Sequence, residues 1–175
     1  YNRFEILKNK TLKLLQSYNI NIDKIKIFVK NEEQRDKYIE SIGTDYHFIL
    51  TGCEGIMETR NFLRTYYREQ QETDYVLYMD DDISKINICK NKVKPFDKKN
   101  NKLEKLPNLD KFIKDCFKTS EQKKMYNWGV YPVDNPYFMK PTTNNKDDYV
   151  STNLKFLIGY LTGVKNNKKA EIRTI

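Results

Sequence analysis

Three carboxylates, Asp80-Asp81-Asp82, stand at the end of the apolar run Tyr75-Val76-Leu77-Tyr78-Met79, and this junction constrains the chain more than any other. Val76, Leu77, Tyr78 and Met79 suit a short buried strand in a sheet interior. Acids crowded at its C-terminal end repel one another, and burial makes ionising them costlier still. A hard divalent cation reverses that balance, because carboxylate oxygens suit Mg²⁺, Mn²⁺ or Ca²⁺. The C-terminal edge of the strands is also where open α/β sheets take their ligands. Acidic triplets are common in solvated loops, so the competing reading is a polar exit from the strand. Its place directly after a strand favours the metal.

Helical and strand patterns alternate up to that junction. Leu7, Leu14, Leu15 and Tyr18 recur at helical spacing and predict a helix over 4–18. A strand is expected over 24–29, a helix over 31–42 with Asn31 as its N-cap, and a strand over 46–50. A loop carrying Gly52 and Gly55 leads into a helix over 56–70 and then the strand at 75–79. This α-β-α-β-α-β order favours a mostly parallel sheet with covering helices, and a first strand is expected ahead of Tyr1. Residues 91–108 are rich in Lys and Asn, include Pro95 and Pro107, and read as a mobile loop. A helix over 109–124 and strands at 127–131 and 154–164 complete the expectation.

At 175 residues the chain fits one domain and is long enough to bury a core. Its charged fraction of 32% against 38% hydrophobic describes a soluble protein. No apolar stretch approaches the roughly 20 residues of a bilayer span, and no secretory signal is visible. Cys53, Cys89 and Cys116 form no CxxC pair, which argues against a zinc site or disulfide scaffold and for a reducing, cytoplasmic setting. His47, the only histidine, lies inside an apolar run and reads as a strand residue satisfied by the fold, so Ser–His and Cys–His catalysis are disfavoured. The net charge is +8, and between Lys85 and Lys124 thirteen lysines face five acids. Such a stretch suits a polyanion, but lysine abounds throughout the chain and a solvated surface is the favoured reading.

Four features in order resemble the GT-A nucleotide-sugar glycosyltransferases. Tyr1-Asn2-Arg3 is similar to the end of the P-x-Y-N-R loop that follows the first strand and lies along the nucleotide. Gly55-Ile-Met-Glu-Thr-Arg60-Asn61 is similar to the G-x4-R-N helix, Asp80-Asp81-Asp82 stands where the family has its DxD motif, and Trp128-Gly129 resembles the aromatic–glycine segment of the acceptor side. The resemblance spans residues 1–164. It implies a single GT-A domain over 1–175, incomplete at both ends, with a nucleotide-binding half at 1–82 and a smaller mixed acceptor half at 83–175. Similar short domains with an acidic triplet occur in large DNA viruses and phages, some acting on glycans and others associated with modified DNA bases. The setting expected of such a viral protein is the cytoplasm of its host.

The resemblance also implies roles. Asp82 is the expected direct ligand of Mn²⁺ or Mg²⁺, and Asp80 reaches the ribose or a metal-bound water. Asp81 contributes to donor binding or points into the sheet. Tyr1, Arg3 and Arg60 hold the UDP-, GDP- or dTDP-linked donor, the arginines through charge-assisted bonds or by neutralising the acids. Trp128 and Gly129 meet the acceptor. Asp134 is the expected general base of an inverting reaction, ahead of Asp147 and Asp148. Many family members add a late histidine to the metal shell, and none follows His47 here. That ligand lies beyond Ile175, or water and phosphate complete the shell. The function implied is sugar transfer to a hydroxyl acceptor, a glycan in preference to hydroxymethylated DNA. A metal-dependent phosphotransferase or nuclease, and a non-catalytic nucleic-acid-binding module, are the alternatives.

Overall fold

A computed structural model describes residues 3–70, 74–89, 103–130 and 161–166. The first helical run has three consecutive pieces: α1 (Phe4–Leu7), a π-helical segment (Lys8–Leu12) and α2 (Lys13–Ser17). The wider π turn sends the apolar stripe in two directions. Leu7 and Leu12 pack with Ile27, Val29, Tyr38 and Tyr46, whereas Leu14 and Leu15 pack with Ile86, Leu106, Leu109 and Leu161. A 3₁₀ turn (Ile22–Lys24) leads to β1 (Lys26–Val29). Helix α3 (Glu32–Ile42) starts on Asn31, whose side chain accepts the Gln34 N–H at 3.0 Å, with Glu32 and Glu33 in the first turn, where the helix dipole favours negative charge.

After β2 (His47–Leu50) the chain turns into α4 (Gly55–Gln70) through Gly55, whose φ of +83° is a left-handed conformation that glycine adopts without strain. Strands β3 (Tyr75–Met79), β4 (Asn87–Cys89) and β5 (Leu103–Lys105) follow. Helix α5 (Leu109–Gln122) is capped by Asn108, whose side chain accepts the Lys111 N–H at 2.8 Å, and β6 (Asn127–Gly129) and β7 (Leu161–Lys165) complete the described elements.

β1 and β2 pair in parallel. β7 lies between β3 and β6, antiparallel to both, with Met79 opposite Leu161 and Trp128 opposite Gly163. Helix α4 covers one face. The Phe28 ring of β1 meets the rings of Phe62, Tyr66 and Tyr67 at 6.4, 5.5 and 6.2 Å between centroids. On the same face the Tyr78 hydroxyl of β3 donates to the Leu63 carbonyl at 3.0 Å. Leu77 and Met79 take the other face, in the cluster built from α2 and α5. Alternation along β3 therefore sorts its side chains between two helical layers. The Trp128 indole stands edge-on to Phe112 and Phe117 at 6.0 and 5.3 Å and lies directly against Gly163, where any Cβ would collide with the ring.

The architecture is mixed α/β. The expected predominance of parallel strands is not found: among the described residues only β1–β2 is parallel, because β7 returns beside β3 as an antiparallel neighbour and not through a βαβ crossover. β3, β6 and β7 join residues on both sides of position 82 in one sheet. The loop expected over 91–108 also ends early. Leu103–Lys105 pairs with Asn87–Cys89, and Leu106, 4% exposed, donates its N–H to the Ile86 carbonyl at 2.9 Å. Those two leucines anchor a segment whose lysines and asparagines dominate its composition. His47 stands on β2 as expected, but its side chain is exposed and not enclosed by the fold. The remainder of the expected loop at 91–102, and residues 154–160 of the expected last strand, lie outside the described residues. No described helix is long and apolar enough to cross a membrane.

Candidate functional site at the acidic turn

The triplet leaves β3 directly into a turn, and different cations act on its carboxylates. Arg60 of α4 is the principal cation acting on Asp80, with a smaller influence from Arg3. Arg3 and Lys10 of the N-terminal run act on Asp81. Burial is the largest influence on both carboxyls and raises their pKa above the ordinary aspartate value, with the arginines pulling back. Neighbouring carboxylates add to the upward push: Asp82 and Asp81 on Asp80, and Asp82 on Asp81. The turn thus holds more negative charge than its surroundings favour.

Arg3 spans the other side of the turn. Its Nη2 donates to Asp82 Oδ2 at 3.0 Å, and its Nε lies 2.9 Å from Asp81 Oδ2. The second contact is an ion pair without an aligned hydrogen bond, which leaves Nε a buried donor without a partner among the described residues. The bond to Asp82, then the charge of Asp81, raises the Arg3 pKa further. The backbone of Arg3 is fixed independently. Its carbonyl accepts the Leu7 N–H at 3.0 Å, and its backbone lies near the Tyr38 hydroxyl, whose pKa burial raises and the Arg3 backbone draws partly back. Tyr38 is itself held by the edge-on ring of Phe4 at 5.8 Å.

Thr11 ties the turn to the π segment. Its Oγ1 donates to the Asp80 carbonyl at 2.7 Å and accepts the Ile83 N–H at 3.0 Å. One side chain therefore bridges the backbone at both ends of the triplet, and at 4% exposure it does so away from solvent. On the α4 side, Arg60 and Arg64 stand one helical turn apart. Arg64 has its pKa lowered, mainly by burial and slightly by Arg60, and the Tyr78 hydroxyl is pushed by burial up to about 12. The result is a patch of carboxylates paired with Arg3 and under the influence of Arg60, donor types that can suit a hard cation and, beside it, a phosphate.

Whether a metal fits can be judged from the same contacts. Asp81 and Asp82 already converge on one cationic group, the Arg3 guanidinium, which marks the position where positive charge is favoured. Among the described residues no three acidic, His or Cys side chains form a ready cage. The donors suit an ion held by one or two carboxylates with water or phosphate oxygens completing its shell, as Mg²⁺ commonly is.

Of the residues singled out from sequence, the structure brings together Arg3, Arg60, Asp80, Asp81 and Asp82. Tyr1, Asp134, Asp147 and Asp148 lie outside the described residues. Gly129 sits at the same sheet edge, two strands away: Leu161 pairs with Met79 on one side and accepts the Val130 N–H at 3.0 Å on the other. Two strand spacings make this about 10 Å. The Trp128 ring is engaged by Phe112, Phe117 and Gly163, while its buried Nε1 has no hydrogen-bond partner among the described residues. Thr11, Tyr38 and Arg64 were not legible as site residues. Thr11 did leave a trace, because it interrupts the stripe of Leu7, Leu14, Leu15 and Tyr18 at the position where another apolar residue would stand. No family model matches the chain, no curated protein matches its sequence, and no solved structure matches its fold.

Replacing Thr11 by Val keeps the shape but removes both bonds to the turn. The expected cost is about 1–3 kcal/mol of unfolding free energy, measured by urea denaturation, with Thr11→Ser recovering most of it. A Val variant as stable as wild type contradicts the bridging role.

Asp80 supplies a pH test. Its folded pKa is raised above 3.8, so the folded state holds this proton more tightly than the unfolded chain, and ionisation costs stability as pH climbs from 3.8 through the raised value. Asp80→Asn is therefore expected to match wild type in acid and to become the more stable of the two above that window, in metal-free buffer. A stability difference independent of pH contradicts the assignment.

Proposed function

We propose that the chain is a metal-dependent glycosyltransferase of the GT-A type, moving a sugar from a UDP-, GDP- or dTDP-linked donor to a hydroxyl acceptor. The observation that carries this reading is the convergence of Asp81 and Asp82 on one cationic group at the C-terminal end of β3, with Arg60 near enough to favour the charged form of Asp80 against burial. The mixed α/β architecture, with helices on both faces of β3, agrees with it.

Mn²⁺ or Mg²⁺, when bound, supplies Lewis-acid stabilisation for the negative charge that grows on the departing diphosphate. Asp82 is the ligating carboxylate, because it is the more exposed of the pair at 40% against 27% for Asp81. Asp80 holds the ribose or a metal-bound water, and Thr11 keeps the turn in the shape that presents both. Arg60 offers N–H groups to phosphate oxygens, and Tyr1 lies along the nucleotide. Asp134 takes the acceptor proton in an inverting reaction.

Two features favour a glycan over DNA and over phosphoryl chemistry. In the Lys-rich stretch, Lys111 and Lys114 pair with Asp115 and Asp110 of their own helix at 2.6 Å each, and Lys105 sits 4.8 Å above the Tyr18 ring, so much of the described charge is engaged locally. Sites for phosphotransfer or nuclease cleavage usually gather acids from several strands, and the described acids here come from one turn. A cytoplasmic setting suits Cys53 and Cys116, both free thiols.

Thermal unfolding with UDP, GDP and dTDP, each with and without Mn²⁺, tests the proposal. One nucleotide is expected to raise the melting temperature only when Mn²⁺ is present, since a ligand of the folded state stabilises by mass action. Asp82→Asn is expected to weaken that binding at least about tenfold, the lower end of what loss of a metal-site group costs. Equal Mn²⁺-dependent affinity in the variant contradicts the metal assignment.

A further inference from the structure

We infer that Arg3 is an exchangeable cation: in the ligand-free protein it neutralises Asp81 and Asp82, and on arrival of the metal it transfers to the diphosphate. The inference rests on the donor site proposed above and concerns how that site is kept and filled.

Three observations carry it. First, Arg3 Nη2 bonds to Asp82 Oδ2, an oxygen of the carboxylate assigned to the metal, so guanidinium and ion compete for one position. Second, the hold is incomplete, because Nε is 2.9 Å from Asp81 Oδ2 yet buried without an aligned acceptor among the described residues. A buried N–H in that state gains from any oxygen placed on its line. Third, the backbone of Arg3 is anchored through its carbonyl by the Leu7 N–H at 3.0 Å while its side chain is 43% exposed, so the guanidinium can change partners without moving the chain. Phosphate is the natural second partner, because the planar fork of arginine matches two of its oxygens as it matches a carboxylate. Release from Asp82 and capture by phosphate would keep positive charge beside the acids throughout, with the ion taking over as the arginine leaves.

A fixed clamp and an exchanging cation differ in sign when Arg3 is removed. Wild type, Arg3→Ala and Arg3→Lys would be compared for binding of Mn²⁺ alone, followed by the electron paramagnetic resonance of the free ion. Binding of inorganic pyrophosphate at saturating Mn²⁺ would follow by calorimetry. Exchange predicts that Arg3→Ala binds Mn²⁺ alone about three- to fivefold tighter, the scale of a lost exposed ion pair. It also predicts pyrophosphate binding about tenfold weaker, from the loss of a charge-assisted contact. Arg3→Lys, which keeps the charge but not the fork, should stay near wild type for Mn²⁺ and recover only part of the pyrophosphate affinity. Unchanged or weaker Mn²⁺ binding in Arg3→Ala, or unchanged pyrophosphate binding, overturns the exchange and leaves the donor site standing. No Mn²⁺ binding by any of the three proteins overturns the donor site, and the exchange with it.

Discussion

Mutual repulsion among three carboxylates at the end of a half-buried strand is the constraint around which this part of the molecule is arranged. Burial and like charge both push Asp80 and Asp81 toward their neutral forms. The fold answers by dividing the charges. Arg60 of α4 is the principal cation acting on Asp80, while Arg3 of the N-terminal run pairs with Asp81 and Asp82. The two arginines come from distant parts of the sequence, so the N-terminal run and α4 must both dock on β3 before the turn is electrostatically tolerable. Packing supplies that docking: Leu14 and Leu15 on one side of the strand, Tyr78 against Leu63 on the other.

Backbone control of the turn comes from a different source than charge control. Thr11 bonds to groups on both sides of the triplet, and it reaches them from a π-helical segment. An uninterrupted α-helix would have directed that position differently relative to Leu7 and Leu15. Departures from regular helix at functional positions are a recurring pattern, and here the departure aligns a buried hydroxyl with two backbone groups while letting the same run contribute to both apolar clusters.

Much of this was legible in the sequence because it is local. Asn31 before Glu32-Glu33-Gln34 announced the start of α3, and the run from Tyr75 to Met79 announced β3 with its bounds. The triplet was picked out from its residues, and Arg3 and Arg60 were added to it by the resemblance to the GT-A motifs. What escaped was set by contacts between distant segments. The pairing of Leu103–Lys105 with Asn87–Cys89 was hidden in a Lys- and Asn-rich stretch, since a three-residue strand has too few positions to show alternation. The direction of β7 beside β3 is a tertiary outcome with no local signature, so a βαβ-like order of elements suggested parallel strands that the chain does not form there. The resemblance set Trp128 on the acceptor side while a lone Trp is more often core, and its ring is engaged by α5 and by Gly163.

The central claim is that the turn at Asp80–Asp82 is a place for a divalent cation bridging to a diphosphate. A crystal grown with Mn²⁺ and a nucleoside diphosphate, with anomalous scattering recorded at the manganese edge, addresses it most directly. The account predicts an anomalous peak within ligand distance of the Asp82 carboxylate, about 2.0–2.3 Å as for hard oxygen donors, with the diphosphate on its open side. A manganese peak held by other residues with the Asp80–Asp82 turn bare, or a diphosphate bound away from this turn, would contradict it.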